Sequence, residues 1–395
     1  MGARIAFITH SQYPVEPRAR RMAEALARQG HHVDVFCLRH PGEAATEVCA
    51  GVQINRLPVA RQQGKGAASY LTEYLRFFVN ATWALTRQRG RRRYALAQVY
   101  NPPDLLAFST LLPRLLSGMR VIFDVRDMAP ELFQSRFGFG AEEPVTRLLC
   151  AHERWACAYA DAVTVCTTHQ FNVHAARGIS PAKMTVVHNC PDEALFGDFA
   201  CPAVAAPQTP RSFTLIYHGG ILQRYGLDVL LHAVPLLRAE IAGLCVEIYG
   251  TGDYLSTAQA LAAELDVTDL VRFHGHRPLA EMPAAVRAAQ VGVVPVRRDV
   301  FTDTILPTKL LEYSYLGLPA VVARTTTISE YFADDMVAYF ESGNVPDLAR
   351  QVLALYHNPD ARQAQALRAQ LLSRQINWAH EQMTYCALVE SLLMR

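Results

Sequence analysis

Lys309 and Glu312 are the residues whose types and spacing first suggest chemistry. They stand in DTILPTKLLEYSYLGLP, residues 303–319. Pro307 fixes φ and has no N–H, which suits the first position of a helix. Leu310, Leu311, Ser314 and Tyr315 follow at helical spacing, and Gly317 is placed to end the helix. A helix start offers free amides and a partial positive charge, which together bind phosphate, and Lys309 adds a full charge there. Glu312 lies one turn on, on the side of Thr308, where a carboxylate can accept two hydrogen bonds from the hydroxyls of a ribose. The other reading is an ordinary amphipathic helix with two solvated charges; many helix starts bind no anion.

Such a helix needs flanking strands to hold it. The apolar runs Val291–Val296 and Ala320–Ala323 supply them. Upstream, Phe213–His218 reads as a strand whose exit is Gly219-Gly220-Ile221-Leu222-Gln223-Arg224-Tyr225-Gly226. Glycines there let backbone approach a ligand, and Arg224 can pair with a diphosphate. The strand Leu244–Tyr249 runs into a second glycine turn, Gly250-Thr251-Gly252. In the first half, Arg4–Thr9, a helix over Arg18–Gln29 and the strand Val33–Leu38 form a βαβ unit, the start of a parallel doubly wound sheet. Polar residues cluster just past predicted strand ends, where such sheets bind ligands. They are Tyr13 and Arg18 after the first strand, Asn101 and Asp104 around Pro102-Pro103, and Asp127 and Glu131 after Val121–Asp124. Arg18 and Arg21 read equally as contacts to an anion and as solvated helix arginines. Asp127 also reads as a helix cap. No G-x-G-x-x-G follows the first strand, which counts against a nicotinamide or flavin enzyme.

PTKLLEYSYLGLP resembles the donor-site segment of the family 4 glycosyltransferases, retaining enzymes of the GT-B fold. Many members carry two glutamates eight residues apart here; this chain keeps the second, Glu312, and has Thr304 in place of the first, with Asp303 beside it. The loop HSQYPVEPRARR resembles a branch of that family that reads YP-x-x-PR. Asp127-Met128-Ala129-Pro130-Glu131 is similar to its acceptor-side loop, and His188-Asn189-Cys190-Pro191-Asp192 to the turn that closes its first domain. The family usually places a lysine directly before the glycine matching Gly226, where this chain has Tyr225 preceded by Arg224.

The resemblance implies an α/β chain of GT-B type: two Rossmann-like domains facing across a cleft, with a C-terminal helix crossing back to the first. The domains are expected at 1–200 and 212–375, with 376–395 as that helix and the proline-rich Cys201–Arg211 as linker. It implies donor contacts at Gly219, Gly220, Arg224, Gly250, Gly252, His276, Thr308, Lys309, Leu310 and Glu312. Acceptor contacts are implied at Tyr13, Arg18, Asn101, Asp104, Asp127 and Glu131, with Asp127, Arg224, Lys309 and Glu312 catalytic. His276 and Arg277 line the base pocket or take surface roles. The implied partners are a nucleotide-sugar donor, UDP-linked before GDP-linked, and a saccharide or lipid-linked acceptor. No metal and no cofactor is expected, since no Asp-x-Asp pair stands at these loops. A sugar-nucleotide epimerase of the same fold and a non-catalytic nucleotide-sugar-binding subunit remain as other readings.

The rest of the composition sets bounds. A chain of 395 residues, 51% hydrophobic and 19% charged, suits two globular domains. A net charge of +2 makes nucleic acid an unexpected partner. Nine scattered cysteines with no C-x-x-C pair suit free thiols in a reducing cytoplasm. MGARIAFITH reads as a strand and not as a signal peptide, and no apolar run reaches the ~18 residues of a membrane span. Tyr70, Tyr74, Phe77, Phe78 and Trp83 lead into Arg87, Arg89, Arg91, Arg92 and Arg93. That pattern fits peripheral contact with an anionic membrane through Tyr70–Arg93, or equally a core helix with a solvated basic tail.

Overall fold

The computed structural model describes residues 2–59, 67–87, 93–191, 193–197 and 212–394. It divides into two compact units, Met1–Asn189 with Ala379–Arg395, and Cys190–Trp378.

The first unit is built on an eight-stranded sheet in the order β3-β4-β2-β1-β5-β6-β7-β8. Its strands are β1 Arg4–Ile8, β2 His32–Leu38, β3 Thr46–Cys49, β4 Val52–Leu57, β5 Leu96–Tyr100, β6 Arg120–Val125, β7 Ala162–Val165 and β8 Met184–Val186. All neighbours pair in parallel except β3 with β4. The central strands carry continuous apolar runs because helices cover both faces. Those helices are α1 Pro17–Arg28, α2 Ala67–Thr86, α3 Leu111–Ser117, α4 Ala129–Phe137, α5 Pro144–Tyr159 and α6 Thr168–Ala176. The β3–β4 hairpin turns through Ala50 at φ 50° and Gly51 at φ 79°. Two residues of positive φ match the right-handed twist of the flanking strands.

The second unit holds a six-stranded, wholly parallel sheet in the order β11-β10-β9-β12-β13-β14. The strands are β9 Phe213–His218, β10 Leu244–Tyr249, β11 Val271–Gly275, β12 Val291–Val294, β13 Ala320–Ala323 and β14 Ala338–Phe340. α7 Glu193–Phe196, α8 Leu227–Arg238, α9 Leu255–Glu264, α10 Met282–Ala288, α11 Thr308–Tyr315, α12 Thr326–Tyr331, α13 Val345–His357 and α14 Pro359–Gln375 surround it, and α15 spans Trp378–Leu393. Leu215, Tyr217, Val246, Ile248 and Val293 share one core with α8 and α13, while Tyr313 and Tyr315 of α11 fill the other face.

The second unit begins before the proline-rich stretch, because α7 packs into it. Arg287 Nη2 donates to Phe196 O at 2.8 Å, and the Phe196 and Tyr315 rings meet edge to face at 6.3 Å. Residues 201–211, the expected linker, lie outside the described residues, as do 88–92 of the basic run. Residues Ala379 to Arg395 belong to the first unit. There Glu381 Oε2 accepts the His188 amide at 2.9 Å and Glu390 Oε1 lies 2.9 Å from His31 Nε2.

Gly226 shows how tightly the β9–α8 exit is held. It sits at φ 68°, and a Cβ there would lie 1.8 Å from Pro295 O. Gly275 has a similar φ of 67° but open space around it. Gly226→Ala therefore combines left-handed strain with a backbone collision, whereas Gly275→Ala carries the strain alone, about 1 kcal/mol. We expect Gly226→Ala to cost at least about 2 kcal/mol more than Gly275→Ala, read as the difference in unfolding midpoint.

Candidate active site

The carboxyl end of β9 and the start of α11 come together in the second unit. Leu310, Leu311, Tyr313 and Tyr315 anchor α11 in the core, leaving Thr308 exposed and Lys309 half-buried at its first turn. No side chain hydrogen-bonds to the helix start, and Pro307 stands at the N-cap with Thr308 as first helical residue. Gly317 at φ 69° ends the helix, with its amide donating to Ser314 O and that of Leu318 to Tyr313 O. Lys309 Nζ sits 3.6 Å from the Tyr217 ring centroid and 5.8 Å from that of Tyr225. A Cβ on Gly219 would lie 3.5 Å from that ammonium, so the glycine keeps the loop backbone against the lysine. Burial lowers the Lys309 pKa to about 7, although the nearby Glu312 carboxylate acts to raise it.

Glu312 is buried, and its Oε2 lies 3.2 Å from His218 Nε2. Burial first, and the Lys309 charge second, push the His218 pKa down to about 3, so that imidazole is neutral at ordinary pH. Arg224 lies in the short turn Gln223–Tyr225, its guanidinium 5.4 Å over the Phe301 ring. Its Nη1 is buried with no hydrogen-bond partner, the signature of a donor awaiting an acceptor. Within one unit, β9, its exit loop and α11 thus gather two cations, one carboxylate and an uncapped helix start.

The glycine turns act through backbone packing. A Cβ on Gly250 would lie 1.9 Å from Gly219 O, and one on Gly252 would lie 2.2 Å from Ile221 O. Amides of Gly219 and Ile221 donate to Tyr249 O and Thr251 O, each at 2.9 Å. Gly250 and Gly252 therefore buttress the loop that carries Gly219 and Gly220. His276 is exposed beyond β11, as is Arg277, while Tyr249 and His274 stack at 4.3 Å beside them. Asp303 accepts from the Thr326 amide at 2.7 Å and its hydroxyl at 2.8 Å, and pairs with Arg298 at 3.2 Å. Burial works to raise its pKa, yet these partners hold it below the usual carboxylate value. The Thr304 hydroxyl donates to Phe301 O at 2.8 Å. Asp303 thus holds the start of α12.

In the first unit, the residues after β5 and β6 form a clamp centred on Asn101. Its Nδ2 donates to Asp127 O at 2.6 Å and Asp104 Oδ1 at 3.0 Å, while its Oδ1 accepts from the amides of Arg126 at 2.7 Å and Asp127 at 3.3 Å. Asn101 is fully buried and fixes the Asp127 backbone, while the Asp127 side chain is half-buried. Asp104 is buried too, and burial raises its pKa to about 7, with Glu153 adding to the rise. Glu131 pairs with Arg177, which also donates to Glu153 at 2.8 Å. That pairing ties the start of α4 to Arg177, just past α6.

Two acceptor-side candidates, Arg18 and Tyr13, lie inside the first unit. Arg18 is buried, and its Nε and Nη2 each donate to Asp124 at 2.9 Å, while Nη1 donates to Val187 O at 2.6 Å and Asn189 Oδ1 at 3.2 Å. With its donors spent it ties α1 to β6 and β8. Tyr13 is 2% exposed, its hydroxyl turned into the interior. Glu16, not Arg18, meets the loop after β6: it caps α1 through the Arg18 and Ala19 amides and lies 3.4 Å from Arg126.

Comparison with known proteins gives this geometry a family. Residues 15–190 match the family described as Glycosyl transferase 4-like domain, and residues 212–358 match Glycosyl transferases group 1. The chain belongs to the family 4 glycosyltransferases. It is 34% identical over 116 residues to a GDP-mannose-dependent alpha-(1-6)-phosphatidylinositol monomannoside mannosyltransferase of Mycolicibacterium smegmatis, covering 29% of this chain and 30% of that protein. It is 26% identical over 184 residues to a phosphatidylinositol N-acetylglucosaminyltransferase subunit of Arabidopsis thaliana, covering 46% of this chain and 38% of that one. These matches span less than half the length of those relatives. Among solved structures, a sucrose-phosphate synthase from Thermosynechococcus elongatus aligns with TM-score 0.80 at 16% identity, over 99% of both chains. The Anabaena protein HepE, solved in complex with UDP, aligns with TM-score 0.72 at 12% identity over 99% of this chain and 100% of its own. Such low identities establish the fold, which is GT-B.

For this member of the family, the second-unit residues expected from sequence gather at one place, except His276 and the supporting Gly250 and Gly252. Sequence reasoning missed His218 and Tyr217. Both end a strand that reads only as core, and the signal was the single polar residue closing an apolar run. Among the described residues no group of three His, Cys, Asp or Glu side chains could hold a metal.

The lowered proton affinity of Lys309 has a measurable sign. The free site loses its charge as pH rises through about 7, whereas a bound diphosphate favours the charged form. Binding of UDP-glucose or GDP-mannose, whose diphosphates keep a constant charge near neutrality, weakens from pH 6.5 to 8.5 by up to about tenfold per unit. Titration calorimetry in buffers of different ionisation heat detects the accompanying proton uptake, and Lys309→Met abolishes both effects. In the first unit, Arg18→Ala leaves the Asp124 carboxylate buried and unpaired, and costs about 3–5 kcal/mol in a denaturation experiment.

Proposed function

We propose that this chain transfers a sugar from a nucleoside diphosphate sugar to a hydroxyl of a saccharide or lipid-linked acceptor, with retention at the anomeric carbon. The observation that carries the proposal is the desolvated Lys309 ammonium, held over Tyr217 against the Gly219 loop, beside buried Glu312. A cation in that state gains most from an arriving pyrophosphate, since burial costs it more than the one nearby carboxylate returns.

In this reading the diphosphate lies against Gly219 and Gly220, with Lys309, the unpartnered Nη1 of Arg224 and the α11 amides neutralising its charge as the glycosidic bond breaks. Glu312 accepts the ribose hydroxyls, oriented by His218. Asp127, on the loop clamped by Asn101, orients the acceptor hydroxyl. The departing diphosphate takes the proton of that hydroxyl on the same face of the sugar. The reaction so drawn asks for no metal, because the protein's own cations carry the leaving-group charge.

Two mycobacterial relatives are named for GDP-mannose, which brings a GDP-sugar to the front beside the UDP-sugar expected from sequence. Their acceptors are phosphatidylinositol-based, which supports a lipid-linked acceptor and a place at the inner face of the membrane, within glycolipid or surface polysaccharide synthesis. Eight described cysteines are free, consistent with work in the cytoplasm.

The test is transfer followed by mass spectrometry, with GDP-mannose, UDP-glucose and UDP-N-acetylglucosamine against short lipid-linked and free saccharide acceptors. A product heavier by one sugar is expected, and its anomeric configuration should match that of the donor. Lys309→Ala should lower kcat/KM by about 10²–10³. Asp127→Asn should lower kcat while donor affinity stays at the wild-type level. A changed sugar with donor alone would mark an epimerase. Donor binding without transfer to any acceptor would mark a silent binding protein.

A further inference from the structure

α2 presents two unlike sides. Phe77, Ala81 and Leu85 insert into the core of the first unit. Leu71, Leu75, Val79 and Trp83 recur every fourth residue on an exposed stripe, Trp83 at 60% exposure. α3, which packs against α2, extends the same surface with Leu111, Leu112, Leu115 and Leu116, Leu115 at 76% exposure. Between the end of α2 and α3 opens a cavity of about 230 Å³, walled by Leu85, Tyr94, Pro113, Leu116 and Met119, with Arg93 among its lining residues. Eight exposed apolar side chains on two adjacent helices exceed the scattered ones of an ordinary surface.

The charge on these helices has one sign. Glu73, their only carboxylate, is buried with its Oε1 2.9 Å from His10 Nε2. Arg76 and Arg87 are exposed on α2 and just beyond it, and Arg87 stacks over Trp83 at 4.0 Å. Arg89, Arg91, Arg92 and Arg93 follow in sequence, and Arg93 is exposed. Arg114 of α3 is committed elsewhere, to Tyr159 O and Asp161. The face is therefore apolar and cationic, with no exposed acid among the described residues of either helix.

That combination selects its occupant. A second copy docked through the same patch would set arginine against arginine. A nucleic acid would engage the arginines but leave eight apolar side chains in water. An anionic bilayer satisfies both: acyl boundary for the leucines and tryptophan, headgroup phosphate for the arginines. We propose that the α2–α3 face docks on an anionic lipid surface. The placement is apt. His10, in the loop that leaves the carboxyl end of β1, meets Tyr74 and Phe77 edge to face at 4.7 and 5.2 Å, so α2 is fastened to the end of the sheet from which the acceptor-side loops emerge. The docking does not depend on the transfer chemistry, although the choice of a lipid-linked acceptor gains from it.

The experiment is co-sedimentation with vesicles of phosphatidylcholine alone, and with about 30 mol% phosphatidylglycerol. Wild-type chain should partition onto the anionic vesicles at least about tenfold more strongly than onto neutral ones, and salt should weaken it. Val79→Asp with Trp83→Asp, and separately Leu115→Asp, should each reduce that partitioning at least about tenfold. The substituted side chains are exposed, so thermal unfolding and nucleotide-sugar binding should stay at wild-type values, which separates this result from the fate of the transfer reading. Equal partitioning of variant and wild type, or wild-type chain left in solution with anionic vesicles, overturns the proposal. So does light scattering that shows a dimer broken by the same substitutions, or RNA binding abolished by them.

Discussion

A lysine short of water, held against an aromatic ring with one carboxylate near it, is the constraint from which the second unit follows. Lys309 keeps its place because α11 is fixed from behind by Tyr313 and Tyr315, both fully buried. Tyr313 in turn fits only because Gly292 has no side chain; a Cβ there would lie 2.5 Å from its ring. The Tyr217 ring face returns part of the solvation that the ammonium loses. Glu312 returns another part, at the cost of being buried itself. Burial still outweighs both, and the lysine's proton affinity falls.

The first unit depends on a different buried charge. Asp124, fully buried at the end of β6, receives Arg18 and the Thr164 hydroxyl, the latter at 2.7 Å. Arg18 then reaches Val187 O and Asn189, joining α1, β6, β7 and the segment after β8. The loops that follow β5 and β6 start from this fixed platform. Asn101 divides its side chain between Asp104 and the backbone of the second of them, which holds the Asp127 backbone in place. The position of the Asp127 backbone is thus set by buried residues behind it.

The fold class was legible in the sequence for a plain reason: parallel strands buried on both faces read as unbroken apolar runs, and β9, β10 and β13 begin and end where those runs do. The β3–β4 hairpin was not legible, because Ala50-Gly51 lacks the Asn-Gly signature of its turn. Of the candidate site, Lys309, Glu312 and Arg224 stood out as charges interrupting apolar text beside glycine and proline. Arg18 stood out by the same rule, and the structure pairs it with buried Asp124. Whether an arginine near a strand end faces a ligand or a buried aspartate 106 residues away is decided by tertiary packing, which spacing along the chain does not encode. The roles of Gly250 and Gly252 were hidden for a related reason. A glycine that makes room for a ligand and one that makes room for a neighbouring loop are written identically.

The departure from the family pattern at position 304 now has a physical consequence. Thr304 is 4% exposed, and its hydroxyl is spent on Phe301 O, while Asp303 is spent on α12 and Arg298. Thr304 carries no charge, and the charge of Asp303 is matched by Arg298. Glu312 is left as the carboxylate beside Lys309, which is why burial outweighs pairing and the lysine's proton affinity falls. A second carboxylate near the ammonium would have raised it again.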